Sequence, residues 1–362
     1  HRCARGGGVR FFSCSPRGGA PTARHALPRS PRASRAGLAL TRVRRDPFSS
    51  PPDDALALIA AFRSPALDVV ALTTTFGNVE TVQATRNAFV LLQLMGASVP
   101  VAEGAHRALS GAPHRVADFV HGKDGLGDTG AVEDGPGEKE GVDAADFIAE
   151  AARAAPGTLS LLALGPLTNV ARALARADDV ATNLAEIVVL GGAFFRNGNV
   201  SPAAEANIRA DPAAADAVFS SRARVRVVGL DVTHACRLTA AQLEGLGGTG
   251  GGPGAFASRI SRFYLDYHRA AYAMDAVFLH DPTALAALVD PALFTWTEGA
   301  VVVAGDGVLA GATVIDQGEK VWAAQKNAAT NPWVGRTPAL VATQVDSEGV
   351  VALVLGLLGG KK

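Results

Sequence analysis

Leu159-Ser-Leu-Leu-Ala-Leu164, then Gly165-Pro166, then Leu167-Thr-Asn-Val-Ala-Arg-Ala-Leu-Ala-Arg-Ala177, and a little later Ile187-Val-Val-Leu190 closed by Gly191-Gly192, is the stretch from which the fold can be read. A short apolar run stopped by Gly-Pro has the length of a strand buried on both faces. The residues after it repeat apolar side chains at helical spacing, and a second β-branched run follows. Strand, helix, strand in sequence implies a crossover unit, and crossover units build parallel sheets with helices on their faces.

The same rhythm extends in both directions. Upstream, Ala55 to Phe62 reads as a helix introduced by Pro51-Pro52-Asp53-Asp54, with prolines and acids where a first turn favours them. Leu67-Asp-Val-Val-Ala-Leu-Thr-Thr74 reads as a strand, Val79 to Met95 as a helix stopped by Gly96, and Val99-Pro-Val-Ala102 as a short strand. Downstream, Val225-Arg-Val-Val-Gly-Leu-Asp231 is another expected strand, Ala255–Met274 a long helix, and Thr283–Leu288 a helical run headed by His280-Asp281. Gly122 to Gly141 and Gly245 to Gly254 read as loops, and the rhythm resumes after each. The fold class expected is α/β: one domain over residues 37–362, an open, mostly parallel, Rossmann-like sheet flanked by helices. Ligands of such sheets bind beyond the carboxyl ends of the strands.

Composition narrows the function. Lys plus Arg is 34 and Asp plus Glu is 34, so no global charge favours nucleic acid or an anionic membrane. No apolar run approaches the roughly 20 residues of a spanning helix. Cys3, Cys14 and Cys236 are far apart and form no C-x-x-C, which argues against a disulfide framework and a thiolate zinc site. The charge is unevenly placed: residues 1–45 hold eleven arginines and no Asp or Glu. Residues 1–36 are therefore expected to be a basic, unfolded segment, either an organellar transit peptide or the product of a wrongly drawn gene boundary. A plastid or mitochondrial address follows from the first alternative, and a cytoplasmic protein is expected otherwise.

Gly125-Leu-Gly-Asp-Thr-Gly130 matches G-x-G-x-x-G, but no apolar strand precedes it and no helix pattern follows, so a dinucleotide site is not expected there. Phosphate-loop, serine-hydrolase and zinc-protease motifs are absent. What stands out is acidic and amide residues in apolar or breaker-rich surroundings: Asp46 and Asp53-Asp54, Asn199 to Asn207 with Glu205 between them, and Leu279-His280-Asp281-Pro282. Oxygen donors without His or Cys clusters suit Ca²⁺ or Mg²⁺. Taken singly, Asp53, Asp54 and Asp281 could cap helices and Asn199 could be a turn residue. Their joint occurrence favours a site.

Thr74-Thr-Phe-Gly-Asn-Val79, Val101-Ala-Glu-Gly104, His121-Gly-Lys-Asp-Gly-Leu-Gly127, Leu164-Gly-Pro-Leu-Thr-Asn169, Gly198-Asn-Val-Ser-Pro-Ala-Ala-Glu-Ala-Asn207 and Leu279-His-Asp-Pro282 together resemble the inosine–uridine preferring nucleoside hydrolases, from about Asp53 to the C-terminus. Gly192-Ala-Phe-Phe195 and Phe263-Tyr-Leu-Asp-Tyr-His268 lean toward the plant-type uridine nucleosidases. The resemblance implies Ca²⁺-dependent hydrolysis of a ribonucleoside to ribose and base. It implies that Asp46, Asp54, Asp281 and the Leu164 carbonyl hold the ion and that Asp46 is the general base. Asp53 and Asn207 would bind the 2′- and 3′-hydroxyls, Asn78 another part of the ribose, and Asn199 and Glu205 its 5′ side. His280 would assist the departing base, with His121 nearby. A homo-oligomer, dimeric or tetrameric, is implied as well.

One departure stands out. The family carries D-x-D-P-G-x-D-D after its first strand, whereas here Asp46 precedes Asp53 by seven positions where the family has four, the glycine is missing, and Arg44 replaces the first acid. A catalytically impaired, nucleoside-binding relative is the alternative that this departure raises.

Overall fold

The structure is a computed structural model and describes residues 41–48, 52–131, 139–248, 251–325 and 327–359, with the backbone alone for 41–48. The segment 1–36, expected to be basic and unfolded, lies outside the described residues, as does most of the acidic half of the Gly122–Gly141 loop.

Eight strands form the central sheet, in spatial order β3 (Val101–Glu103), β2 (Leu67–Thr74), β1 (Thr41–Phe48), β4 (Leu159–Ala163), β5 (Leu184–Leu190), β6 (Val225–Val228), β12 (Ala339–Val345) and β9 (Phe294–Gly299). Every neighbouring pair is parallel except β12–β9. Two antiparallel pairs stand apart: β7 (Arg237–Thr239) with β8 (Ala276–Phe278), and β10 (Val301–Val303) with β11 (Thr313–Ile315).

Strand period two divides the interior into two cores. Leu162, Val188, Leu190 and Val228 point to one face, into a cluster with the helices Pro52–Arg63, Pro253–Tyr272, His280–Val289 and Ser347–Gly359. Leu161, Ile187, Val189 and Val227 point to the other, into a cluster with the helices Ala144–Ala154, Thr168–Arg176 and Pro212–Phe219. With both faces covered, the central strands have no polar side to show, which is why β4 is buried at every position. Helix Pro52–Arg63 is buried from Pro52 through Ala61 because it is itself sandwiched between the sheet and other helices.

Most expected elements are present within a residue or two. Leu67–Thr74 is a strand with the expected limits, and the Val79–Met95 helix is Thr81–Met95, closed by Gly96 in the left-handed region at φ 59°. The expected strand Val225–Asp231 is too long: it ends at Val228, and after Gly229 the chain turns into a short helix, Leu230–Thr233. Gly125–Gly130 lies in a run of turns after the four-residue helix Asp118–His121, not between a strand and a helix.

Candidate active site

The carboxyl ends of β1, β2, β4, β5 and β6 open toward one cleft, and two helix N-termini meet there. Pro52–Arg63 brings Asp53 and Asp54 in its first turn, and His280–Val289 brings Asp281 in its own. The positive ends of two helix dipoles favour carboxylates at these positions. Asp53, Asp54 and Asp281 are all buried, and one carboxylate oxygen from each lies within 4.8 Å of the other two. Burial pushes the Asp53 carboxyl up to about 6, although a hydrogen bond with Asp281 and backbone N–H groups pull the other way. Burial lifts Asp281 well above the usual carboxylate range, and the charges of Asp54 and Asp53 lift it further. Asp53 Oδ1 and Asp281 Oδ1 are buried without a hydrogen-bond partner, and none of the described residues lining the cleft is Lys or Arg. Asp53 and Asp281, each with an open buried oxygen, stand beside Asp54 with no Lys or Arg among the described residues lining the cleft, a donor set that a hard divalent cation fits.

Around this acidic floor the cleft is lined by Asn78, His121, Leu164, Asn199, Glu205, Asn207 and His280, all expected from the sequence. The loop from Gly191 to Glu205 is folded by its own polar groups. Glu205 is the N-cap of helix Ala206–Ala210 and accepts from Gly192 N at 3.2 Å, Asn207 N at 2.9 Å and Ile208 N at 3.1 Å. Burial raises its carboxyl while these N–H groups hold it down. Asn207 donates Nδ2 to the carbonyls of Leu164 (2.9 Å) and Leu190 (3.2 Å), so one amide ties the ends of β4 and β5 together and faces the cleft. Asn199 Oδ1 accepts from Ala206 N at 3.0 Å. Deeper in the fold, Asn169 accepts from Ala105 N at 2.8 Å and donates to Thr74 O at 3.0 Å, anchoring the turn that carries Asn78. Asp46 lies on β1, paired in register with Ala163 of β4. The expectation that its carboxylate joins the site concerns a side chain outside the described residues.

The other wall is aromatic, and the sequence reading missed most of it. All three tyrosines of the chain, Tyr264, Tyr267 and Tyr272, line the cleft with His268, Phe278 and Phe119. The signal was available: positions 264, 267, 268 and 272 fall on one face of helix Pro253–Tyr272. His268 holds its place through Nδ1 to Tyr264 O at 2.8 Å, and His234 stacks on Phe278 at 4.2 Å with 5° between the rings. His121 packs 5.1 Å from Tyr264. Burial, aided by His268, draws His121 down to about 3, and burial with nearby Arg196 and Arg237 draws His234 down to about 4. His280 is held well below the usual imidazole range by burial and then by His234, His268 and His121. The histidines at this wall are therefore neutral: polar contacts for a planar ring, not cations.

A floor of oxygen donors facing an aromatic, uncharged wall can grip a polyhydroxylated moiety at one end and a flat heterocycle at the other. Comparison with known proteins identifies the family. The model of the family described as inosine-uridine preferring nucleoside hydrolase matches residues 46–352. Uridine nucleosidase 1 of Arabidopsis thaliana is 46% identical over 303 residues, covering 83% of this chain and 88% of the relative. A pyrimidine-specific ribonucleoside hydrolase of Citrobacter koseri is 38% identical over 267 residues, 73% of this chain and 85% of the relative. Among solved structures, a plant nucleoside hydrolase superposes with a TM-score of 0.84 at 42% identity, over 89% of this chain and 99% of that one. A purine-preferring ribonucleoside hydrolase from Gardnerella vaginalis follows at 0.78 and 31%, over 88% and 98%. The chain belongs to the inosine-uridine preferring nucleoside hydrolase family, a family of ribonucleoside-hydrolysing enzymes.

Proposed function

We propose that this enzyme hydrolyses the N-glycosidic bond of uridine foremost, and of inosine or xanthosine more slowly, with Ca²⁺ held by Asp46, Asp54, Asp281 and the Leu164 carbonyl. The observation that carries the reading is the buried carboxyl trio in a cleft with no Lys or Arg among the described residues that line it, opposite the aromatic wall. Preference for uridine rests on the higher identity to the plant uridine nucleosidase than to the purine-preferring enzyme. Ca²⁺ bound there would supply the positive charge that balances the carboxylates, together with Lewis-acid polarisation of water and of the ribose diol.

Asp46 takes the proton from the attacking water. Asp53 and Asn207 hydrogen-bond the 2′- and 3′-hydroxyls, Asn78 adds a ribose contact, and Asn199 and Glu205 lie on the 5′ side. Glu205 acts there chiefly by holding Gly192 and Asn207, since its oxygens already accept from backbone N–H groups. Fixed carboxylates and amides stabilise the positive charge that spreads over the ribose ring as the bond breaks. Tyr264 and Phe278 offer faces to the base, and neutral His121 and His280 offer polar edges. A cytoplasmic homo-oligomer is the expected setting.

The test is product analysis in phosphate-free buffer. Free ribose and uracil in equal amounts support hydrolysis, and a requirement for phosphate refutes it. Nucleoside binding without turnover is the second reading, favoured by the longer interval from Asp46 to Asp53. It predicts saturable uridine binding with no ribose released.

A further inference from the structure

His280 begins its helix at the wall of the cleft, and its Nδ1 lies 2.8 Å from Thr233 Oγ1. A hydroxyl has one proton to give and can also accept, so the direction of this bond decides which ring nitrogen carries the hydrogen. Two buried threonines on other helices, Thr85 and Thr283, donate to the carbonyl four residues back, Thr81 O and Leu279 O. Thr233 does not. The Gly229 carbonyl, four residues back, takes the Thr233 backbone N–H, as the Leu279 carbonyl takes that of Thr283. Among the described residues, His280 Nδ1 is the one hydrogen-bond partner of the Thr233 hydroxyl. Thr233 is fully buried, so its proton has no water to go to. The hydroxyl therefore donates to Nδ1, and in a neutral ring the single hydrogen sits on Nε2, the edge turned away from Thr233. His234 and Phe278, with ring centres 5.4 and 5.5 Å away, confine the imidazole plane.

We propose that Thr233 is a positioning residue that fixes His280 as its Nε2–H tautomer, so that the imidazole presents a hydrogen-bond donor to the nucleoside base as the glycosidic bond breaks. This rests on the hydrolase reading. In the step, the electron pair of the bond between the anomeric carbon and the base nitrogen passes to the base, and the water oxygen bonds to that carbon. One water proton goes to a carboxylate, and the base takes its proton from solvent. His280 keeps its own and only stabilises the negative charge on the base. The opposite tautomer would aim a lone pair at that charge.

The test uses Thr233→Val, which keeps the shape and removes the hydroxyl, and Thr233→Ser, which restores it. With uridine, Thr233→Val is expected to lower kcat by about tenfold or more while KM stays within about twofold. With p-nitrophenyl riboside, whose leaving group bears its charge unaided, kcat should change by less than about threefold, and Thr233→Ser should recover most of the uridine rate. An unchanged uridine kcat in Thr233→Val, or an equal fall on both substrates, overturns the proposal. Long-range ¹H–¹⁵N spectra of histidine-labelled protein, assigned with His280→Asn, give a readout independent of turnover: hydrogen on Nε2 in the wild type is expected, and hydrogen on Nδ1 overturns it. Wild-type protein that releases ribose from neither substrate overturns the hydrolase reading itself, while the spectrum still decides the tautomer.

Discussion

Asp53→Asn should make the cation-free protein more stable while weakening what cations do for it. Asp53 is 4% exposed, and its carboxyl is raised from 3.8 to about 6. A carboxyl raised in the folded state adds stability below its unfolded value and withdraws it as pH climbs through the folded one. At pH 8 the ionised group therefore costs about 3 kcal/mol. Asparagine has the same shape and no charge. In urea denaturation with chelator at pH 8, the variant should unfold about 1–3 kcal/mol harder than wild type, allowing for weaker hydrogen bonds from the helix N-terminus. At pH 4, where wild-type Asp53 is mostly protonated, the difference should shrink to about 0.5 kcal/mol. With saturating Ca²⁺ the order should reverse or close, because wild type gains more from the ion. A chelated variant that is less stable than wild type at pH 8, or one that gains as much from Ca²⁺, refutes the reasoning.

Three further outcomes follow from the same geometry. His121 and His234 are held neutral at about 3 and 4, so their contribution is intact above the usual 6.5 and lost as pH falls below it; from pH 7 to 5 each should cost about 2 kcal/mol, and His121→Gln should lose correspondingly less over that range by chemical denaturation. Asn169→Ala strips two buried hydrogen bonds from the turns after β2 and β3 and should cost about 2–5 kcal/mol in urea midpoint analysis, a loss under 1 arguing against the brace. Gly198→Ala would set a methyl against the Ala204 backbone, whose nitrogen is 2.6 Å from the new carbon; the loop carrying Asn199 must open, so kcat/KM for uridine should fall by about tenfold or more while unfolding free energy changes by about 1 kcal/mol or less.

What could be read in advance divides along physical lines. β4, β5 and the helix between them declare themselves because both sheet faces are covered, leaving apolar runs broken only by Ser160 and Glu186. Asp53, Asp54 and Asp281 stand out because acids beside Pro and apolar residues are costly unless something compensates. β1 did not declare itself: Thr41-Arg-Val-Arg-Arg-Asp-Pro-Phe48 carries three arginines and a proline, yet its backbone pairs with β2 and β4 at the centre of the sheet. Asp231 looked like the last residue of a strand; it instead accepts from Phe194 N and Phe195 N and ties down the loop after β5, a contact across 36 or more positions that no local pattern announces. His268 likewise reaches the cleft wall through contacts formed only once helix Pro253–Tyr272 lies against β8, and His234 stacks on the Phe278 of that wall.

The central claim is that the buried acids at the cleft floor, Asp54 and Asp281 among them, bind a divalent cation and that this binding enables ribonucleoside hydrolysis. It is tested most directly by ribose release from uridine by metal-stripped wild-type protein, before and after Ca²⁺ is restored, beside Asp281→Ala treated identically. The account predicts release by wild type only with Ca²⁺ present, and none by the variant under either condition. Equal release with and without Ca²⁺, or Ca²⁺-dependent release by folded Asp281→Ala, would contradict it.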